Sequence, residues 1–170
     1  MPARPDLEHK AASPAHVACY VITVSDTRTE ETDTGGRAIV ELLTAAGHTV
    51  TGRAIVKDDA DELRDCIGRQ LAHPAVQAII TTGGTGITSR DCTYEAVNAL
   101  LWKKIDGFGE IFRALSYQEI GAAAMMSRAV AGTIAGRVVV ALPGSEAAVR
   151  LALTRLLLPE LWHLVREATR

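Results

Sequence analysis

From Val17 onward, short β-branched runs alternate with longer stretches in which apolar residues return every three or four positions. Val17 to Val24 (VACYVITV) is long enough for a buried strand and stops at Ser25-Asp26. The polar segment 27–34 reads as a loop at that strand's carboxyl end. It is closed by a helix with Ala38, Ile39, Leu42, Leu43 and Ala46 on one face and Gly47 as its stop. The pattern then repeats. Thr49 to Val56 is a second strand followed by Asp58-Asp59, and Leu63, Cys66, Ile67 and Leu71 mark a second helix that ends before Pro74. A third strand, Val76 to Thr81, enters the loop Thr82-Gly83-Gly84-Thr85-Gly86. Strands alternating with amphipathic helices pair in parallel through right-handed crossovers, which predicts a three-layer α/β/α sandwich around a mostly parallel sheet.

The middle of the chain breaks this alternation. Thr93 to Leu101, Glu110 to Gln118 and Ile120 to Ala131 are rich in Ala, Leu and Glu and read as three short helices. Arg137 to Leu142 (RVVVAL) is a last strand, ended by Pro143-Gly144. Ser145 is placed to cap a helix running to Leu158, and Pro159 suits the first turn of a final helix with Leu161, Leu164 and Val165 inward. No internal repeat or linker divides the chain, so a flexible tail over 1–15 and one α/β domain over 16–170 are expected.

Composition narrows the class. With 170 residues, 48% hydrophobic and 22% charged, the chain falls among soluble globular proteins and can bury roughly 70% of its unfolded surface, enough for a core without staples. Three cysteines, Cys19, Cys66 and Cys92, with no C-x-x-C pair, indicate neither a disulfide framework nor a cysteine zinc site and point to a reducing cytoplasm. A formal charge of -2 without a Lys/Arg run argues against nucleic acid as a partner. The absence of any apolar run near ~20 residues, and of an apolar core in Met1 to Ala12, argues against membrane spanning or export.

Ligands of open parallel sheets bind outside the carboxyl ends of the strands, where this sequence gathers Ser25-Asp26, Asp58-Asp59, Thr82 through Asp91, and Pro143-Gly144-Ser145. Each segment alone is an ordinary turn; together they favour a site. Gly83, Gly84 and Gly86 lack Cβ atoms where a strand leads toward a helix, so backbone N–H groups there can approach an anion such as phosphate. The loop is not a Walker loop, because no Gly-Lys-Ser/Thr follows, and Ser89 stands where the dinucleotide fingerprint needs its last glycine. Arg90 beside Asp91 is either a surface ion pair or a phosphate ligand next to a carboxylate that serves magnesium or a substrate proton. His9, His16, His48, His73 and His163 lack ligand spacing. Cys92 reads as a packing residue, since an anionic neighbour raises a thiol pKa.

The run TTGGTGITSRDCTYEAV, Thr81 to Val97, resembles the signature of the molybdenum cofactor biosynthesis proteins MoaB and MogA, shared with the G domain of gephyrin. The resemblance continues through VSD at Val24 to Asp26, GFGE at Gly107 to Glu110, LSYQEIG at Leu115 to Gly121, SRAVAG at Ser127 to Gly132 and ALPGS at Ala141 to Ser145. IVKDD and FRALSYQEIG are similar to the MoaB branch in particular.

The resemblance implies a molybdopterin-binding fold whose adenylating members join the terminal phosphate of molybdopterin to AMP, using magnesium and ATP and releasing pyrophosphate. It assigns catalysis and magnesium binding to Asp58 and Asp91, and nucleotide phosphate to Ser25, Asp26, Gly83, Gly84, Thr85, Gly86 and Arg90. The pterin side falls to Ser116, Ser127, Pro143, Gly144 and Ser145. Paired carboxylates suit this task because magnesium held by oxygen ligands offsets the repulsion between two phosphates. Two positions depart from the pattern: Ala141 stands where adenylating members commonly have Asn, and Tyr94 where many have Pro. A non-catalytic molybdopterin-binding or scaffolding protein of the same fold is the rival reading. A homotrimer, or a hexamer of two trimers, is also implied. Ile111, Phe112, Leu115, Tyr117, Ile120, Met125 and Met126 are the apolar surplus that such an assembly would cover, and other cofactor-biosynthesis proteins are possible partners.

Overall fold

The computed structural model describes residues 16–170; the expected tail over 1–15 lies outside the described residues. Six strands form one sheet in the order β2-β1-β3-β6-β5-β4. They are β1 (Ala18–Val24), β2 (Thr49–Val56), β3 (Ala78–Thr82), β4 (Lys103–Lys104), β5 (Val130–Ile134) and β6 (Arg137–Leu142). The pairs β1–β2, β1–β3 and β3–β6 are parallel, while β5 runs antiparallel to both β6 and β4. The helices are α1 (Thr34–Ala45), α2 (Ala60–Ala72), α3 (Thr93–Leu100), α4 (Asp106–Ile120), α5 (Glu146–Ala152) and α6 (Leu158–Ala168). This is the mixed α/β sandwich with a mostly parallel sheet that the alternation predicts.

Successive residues of each inner strand serve opposite faces, as the two-residue period of a strand requires. Val21, Ile80 and Val140 pack with Ile39 and Leu43 of α1, Phe112 of α4, and Leu157 and Leu161 near the carboxyl terminus. Ile22, Ile79 and Val139 pack with Leu63, Cys66 and Ile67 of α2 and Ala96 and Val97 of α3. Such two-sided burial explains why β1, β3 and β6 read as continuous apolar runs. Because α1 and α2 cover opposite faces while β2 and β3 flank β1 on either side, the chain direction switches between β1 and β3. A crevice opens at that point. Register makes the strand ends level: Val24 pairs with Val56, Thr23 with Thr82, and Thr82 with Leu142. The four loops singled out in the sequence therefore emerge side by side.

Two helix starts follow the sequence rules. Asp59 Oδ1 accepts from the N–H groups of Asp61 and Glu62 at 2.9 Å each, and Ser145 Oγ accepts from Ala148 N–H at 3.2 Å. The helix expected from Ser145 to Leu158 and the final helix expected from Pro159 form one unbroken helical run, Glu146 to Ala168, in which a π turn at Leu153–Leu157 joins α5 to α6.

The largest correction falls in the middle. The helix expected over Ile120 to Ala131 does not form; α4 ends at Gly121, which has φ 63°, a 3-10 turn spans Gly121–Met126, and β5 follows. β4 was also unforeseen. Val130, Thr133 and Ile134 carry strand propensity, but small residues lie between them, and only pairing with β6 fixes their conformation. Ala135 and Gly136, with φ 48° and 74°, make the two-residue turn that joins β5 to β6. The apolar surplus also divides. Phe112 is fully buried and Leu115 packs against the core, whereas Ile111, Tyr117, Ile120, Met125 and Met126 are 52–75% exposed. Ala46, expected on the inward face of the first helix, is its exposed cap residue.

Candidate functional site

Backbone contacts pin the glycine loop between its neighbours. Gly83 N–H donates to Leu142 O at 3.1 Å, and Thr82 Oγ1 donates to Pro143 O at 2.9 Å. Gly83 adopts φ 94° and lies against Val24 O, so that any Cβ there would collide with the end of β1. Gly84, at φ 65°, abuts the Thr93 hydroxyl, and a Cβ on it would stand 2.9 Å from Asp58 Oδ1. A Cβ on Gly86 would stand 2.6 Å from Asp91 Oδ2. Both expected catalytic carboxylates thus flank the same loop, one arriving from the end of β2 and the other from the approach to α3.

Each acid is tied differently. Asp58 Oδ1 accepts from Cys92 N–H at 3.3 Å and from the Cys92 thiol at 3.2 Å, while its own N–H donates to Asp26 Oδ1 at 3.1 Å. Burial, reinforced by the Asp58 charge, pushes the Cys92 thiol up to about 12, which excludes a thiolate nucleophile at neutral pH. Asp91 Oδ2 accepts from the Thr88 hydroxyl at 2.6 Å and the Thr88 N–H at 2.9 Å. The Thr88 hydroxyl is the foremost cause of an Asp91 carboxyl held below the usual aspartate range; burial opposes it, and the N–H groups of Thr88 and Gly86 assist.

Arg90 turns away from its chain neighbour Asp91 and forms its ion pair with Asp26 at 2.5 Å. That pairing lowers the Asp26 carboxyl, assisted by the N–H of Asp58. Ser25 Oγ accepts from the N–H groups of Thr27 and Arg28 at 3.2 and 3.0 Å, closing the turn after β1.

Two hollows flank the Pro143-Gly144-Ser145 turn. The larger, about 350 Å³, includes Thr23, Ser25, Asp33, Gly83 and Gly144 in its wall. The smaller, about 110 Å³, brings together Ser116, Ser127, Pro143 and Ser145 beside Leu151. The structure therefore groups four of the five expected pterin residues around the smaller hollow, with Ser145 lining both hollows and Gly144 only the larger. Ser116 is buried and donates its hydroxyl to Phe112 O at 2.8 Å, so it offers wall more than a free donor. Asp58 and Asp91 line neither hollow and stand beyond Gly83, over Gly84 and Gly86. Ala141 is fully buried in β6 opposite Thr81, inside the core against α2 and α3.

Sequence reasoning missed two residues. Asp33 is a buried carboxylate in the wall of the larger cleft that accepts from Thr23 Oγ1 at 2.6 Å and Gly36 N–H at 2.8 Å and pairs with Arg53 at 3.3 Å. From the sequence it was only part of the polar segment 27–34; in the structure it caps α1, and its other partners come from β1 and β2. Arg128 bonds to the carbonyls of Thr85 and Gly86 at 2.9 and 2.7 Å. The SRAVAG motif had singled out its segment, but only Ser127 was taken from it.

No group of three or more His, Cys, Asp or Glu among the described residues is arranged to hold a metal by itself. His48 is buried and accepts from Val17 N–H at 3.2 Å, while His16 Nδ1 lies 2.7 Å from Gly47 O; both tie the start of β1 to the turn before β2. No helix among the described residues is long and apolar enough to cross a membrane.

Comparison with known proteins agrees with this geometry. A family model described as "Probable molybdopterin binding domain" matches residues 20–163. The chain is 52% identical to molybdenum cofactor biosynthesis protein B of Bacillus anthracis, over 96% of this chain and 97% of that one. It is 50% identical to the Bacillus subtilis protein of the same name, covering 94% and 95% of the two chains. Among solved structures, one of a molybdenum cofactor biosynthesis protein B superposes with a TM-score of 0.89 at 52% identity, over 92% of this chain and 98% of that one. The tungsten cofactor synthesizing protein MoaB from Pyrococcus furiosus superposes with a TM-score of 0.83 at 37% identity, over 93% and 100%.

Proposed function

Because the chain belongs to the molybdopterin-binding domain family of the molybdenum cofactor biosynthesis proteins MoaB and MogA, we propose that it serves molybdenum cofactor biosynthesis as a molybdopterin adenylyltransferase. In that reaction a terminal phosphate oxygen of molybdopterin attacks the α-phosphorus of ATP. The new P–O bond gives adenylyl-molybdopterin, and the bond to the β-phosphate breaks to release pyrophosphate. The observation that supports the reading most is the placement of Asp58 and Asp91 against Gly84 and Gly86 of one loop.

Magnesium fits this donor set. It binds through one or two carboxylates plus substrate phosphates rather than in an all-protein cage, which agrees with the two acids at the loop. Bound there, it would supply charge neutralisation between the phosphates. Asp91 is held ionised by Thr88, and Asp58 is oriented by the Cys92 N–H and thiol, so both carboxylates are preorganised to accept a cation. Gly83, Gly84, Thr85 and Gly86 cradle the nucleotide phosphates, with Ser25 and the Asp26–Arg90 pair at the rim. Ser116, Ser127, Pro143 and Ser145 face the pterin in the smaller hollow.

Incubating the protein with molybdopterin, magnesium and ATP and searching by mass spectrometry for adenylyl-molybdopterin tests the proposal. Binding of molybdopterin without that product would support the rival, a binding or scaffolding protein. The exposed apolar face of α4 and the 3-10 turn supports a homo-oligomeric state, a trimer or a hexamer of two trimers.

A further inference from the structure

One side chain outside the assigned set ties three parts of the site together. Arg128 lies between the 3-10 turn and β5, and it donates from Nε to Thr85 O at 2.9 Å and from Nη2 to Gly86 O at 2.7 Å. The other edge of its guanidinium meets Glu95, with Nη1 at 2.5 Å and Nη2 at 3.1 Å from the carboxylate oxygens. Its face stacks 4.6 Å from the centre of the Tyr94 ring. Tyr94 and Glu95 belong to the first turn of α3, so Tyr94, the departure from the usual proline, supplies a platform that proline lacks. Only a planar fork of five N–H donors can reach two successive carbonyls and a carboxylate at once; a lysine ammonium cannot.

The consequence for the loop follows from peptide geometry. In a planar trans peptide, the carbonyl and the next residue's N–H point in opposite directions. Drawing the Thr85 and Gly86 carbonyls toward Arg128 therefore turns the N–H groups of Gly86 and Ile87 the other way. A carbonyl freed from Arg128 could rotate into the cradle, where its negative end would repel phosphate.

We propose that Arg128 is the positioning residue of the phosphate site, pinning the Thr85 and Gly86 carbonyls outward so that the loop presents N–H groups to an anionic phosphate. Its neighbour Ser127 lines the smaller hollow, so the same short segment links the pterin wall to the phosphate cradle. The assignment deepens the adenylyltransferase reading and rests on it for the identity of the phosphate.

The test uses the full chain and the variants R128Q, R128K and E95Q. Amide hydrogen exchange is read without ligand, and Mg-ATP affinity and adenylylation are measured alongside. In R128Q the Thr88 amide, which donates to Asp91 Oδ2 beside the pinned carbonyls, should exchange about tenfold faster while amides of β1, β3 and β6 keep their rates, the pattern of a local opening. The Kd for Mg-ATP should rise roughly tenfold and kcat should fall, with the KM for molybdopterin changing less. R128K, retaining charge without the fork, should resemble R128Q, and E95Q, which leaves Arg128 but removes its anchor, should show a smaller change of the same kind. Wild-type exchange at Thr88 in R128Q, wild-type behaviour of R128K, or equal acceleration across the sheet would each overturn the proposal. If R128Q fails to fold, E95Q decides it, wild-type loop exchange being the negative result. A wild-type protein that makes no adenylyl-molybdopterin, with the exchange effects present, would remove the reaction and leave the positioning role standing.

Discussion

At the carboxyl ends of β1, β2 and β3, polar groups satisfy one another, some across the chain and some locally: Asp26 with Arg90, Asp58 with Cys92, Asp91 with Thr88, Asp33 with Thr23 and Arg53. Along the outer side of α4 and its 3-10 extension, Ile111, Tyr117, Ile120, Met125 and Met126 are 52–75% exposed, and Tyr117 and Met125 line a groove there with Arg113, Ala114, Ala122 and Ala124. The first region has ordered its polar groups before any ligand arrives, which is what charge chemistry requires. The second offers apolar area with little polar detail, which suits burial against another surface. The proposed reaction and the proposed assembly therefore fall on two separate regions of one domain.

The sharpest way to break that division is to remove charge from the first region. Asp91→Asn should lower adenylylation by at least about a hundredfold while leaving thermal stability nearly unchanged, because a strand-end loop carboxylate contributes charge rather than packing. Asp58→Asn should behave alike, its remaining carbonyl still accepting from Cys92. Near-wild-type product formation in either variant, followed by mass spectrometry, would remove the paired-acid assignment.

The second region is tested by assembly. Placing Glu at Met125 or Tyr117 should shift the mass read by light scattering from an oligomer toward a single chain of 18.1 kDa. A wild-type protein that already runs at that mass, independent of concentration, would end the assembly role, and a dimer would end the trimeric architecture.

A smaller effect is expected from Gly84→Val. The positive φ at this position costs a residue with a Cβ on the order of 1–3 kcal/mol. The added side chain would also press on the Thr93 hydroxyl and Asp58. ATP affinity measured by calorimetry should fall roughly tenfold in protein shown to be folded. Unchanged affinity would move the phosphate site away from this loop.

The smallest effect is in acid. Asp91, like Asp26, is depressed in the folded protein, so its stabilising contribution is full above the unfolded value of about 3.9 and is lost as pH falls through the lower folded value. Thr88→Val removes the main cause of the Asp91 depression. Its melting temperature should therefore lie below the wild type at about pH 6, and the gap should close as both are acidified past that range. A gap that persists unchanged at low pH would show that Thr88 acts through packing.

Much of the frame was readable in advance. The Thr49–Val56 and Arg137–Leu142 strands match their expected bounds, and the cap at Ser145 falls where residue type places it, because strand propensity and side-chain capping act within a few residues. The β4 and β5 strands were not legible, since a two-residue strand and a segment with Gly at its centre take their conformation from a neighbour across the sheet. Among site residues, the acids and glycines were visible through motifs, but Asp33 and Arg128 were not.

What the sequence determined by itself is the alternation of buried strands with amphipathic helices, the loops that end those strands, and the family to which their motifs point. Only the tertiary structure decided that Arg90 pairs with Asp26 instead of its neighbour, that Phe112 is core while Tyr117 is surface, and that Arg128 reaches the glycine loop. The physical reason is range. Periodicity and capping are set within a few residues, whereas ion pairs and carbonyl contacts form between side chains whose separation along the chain says nothing about their distance until the sheet has brought the strand ends level.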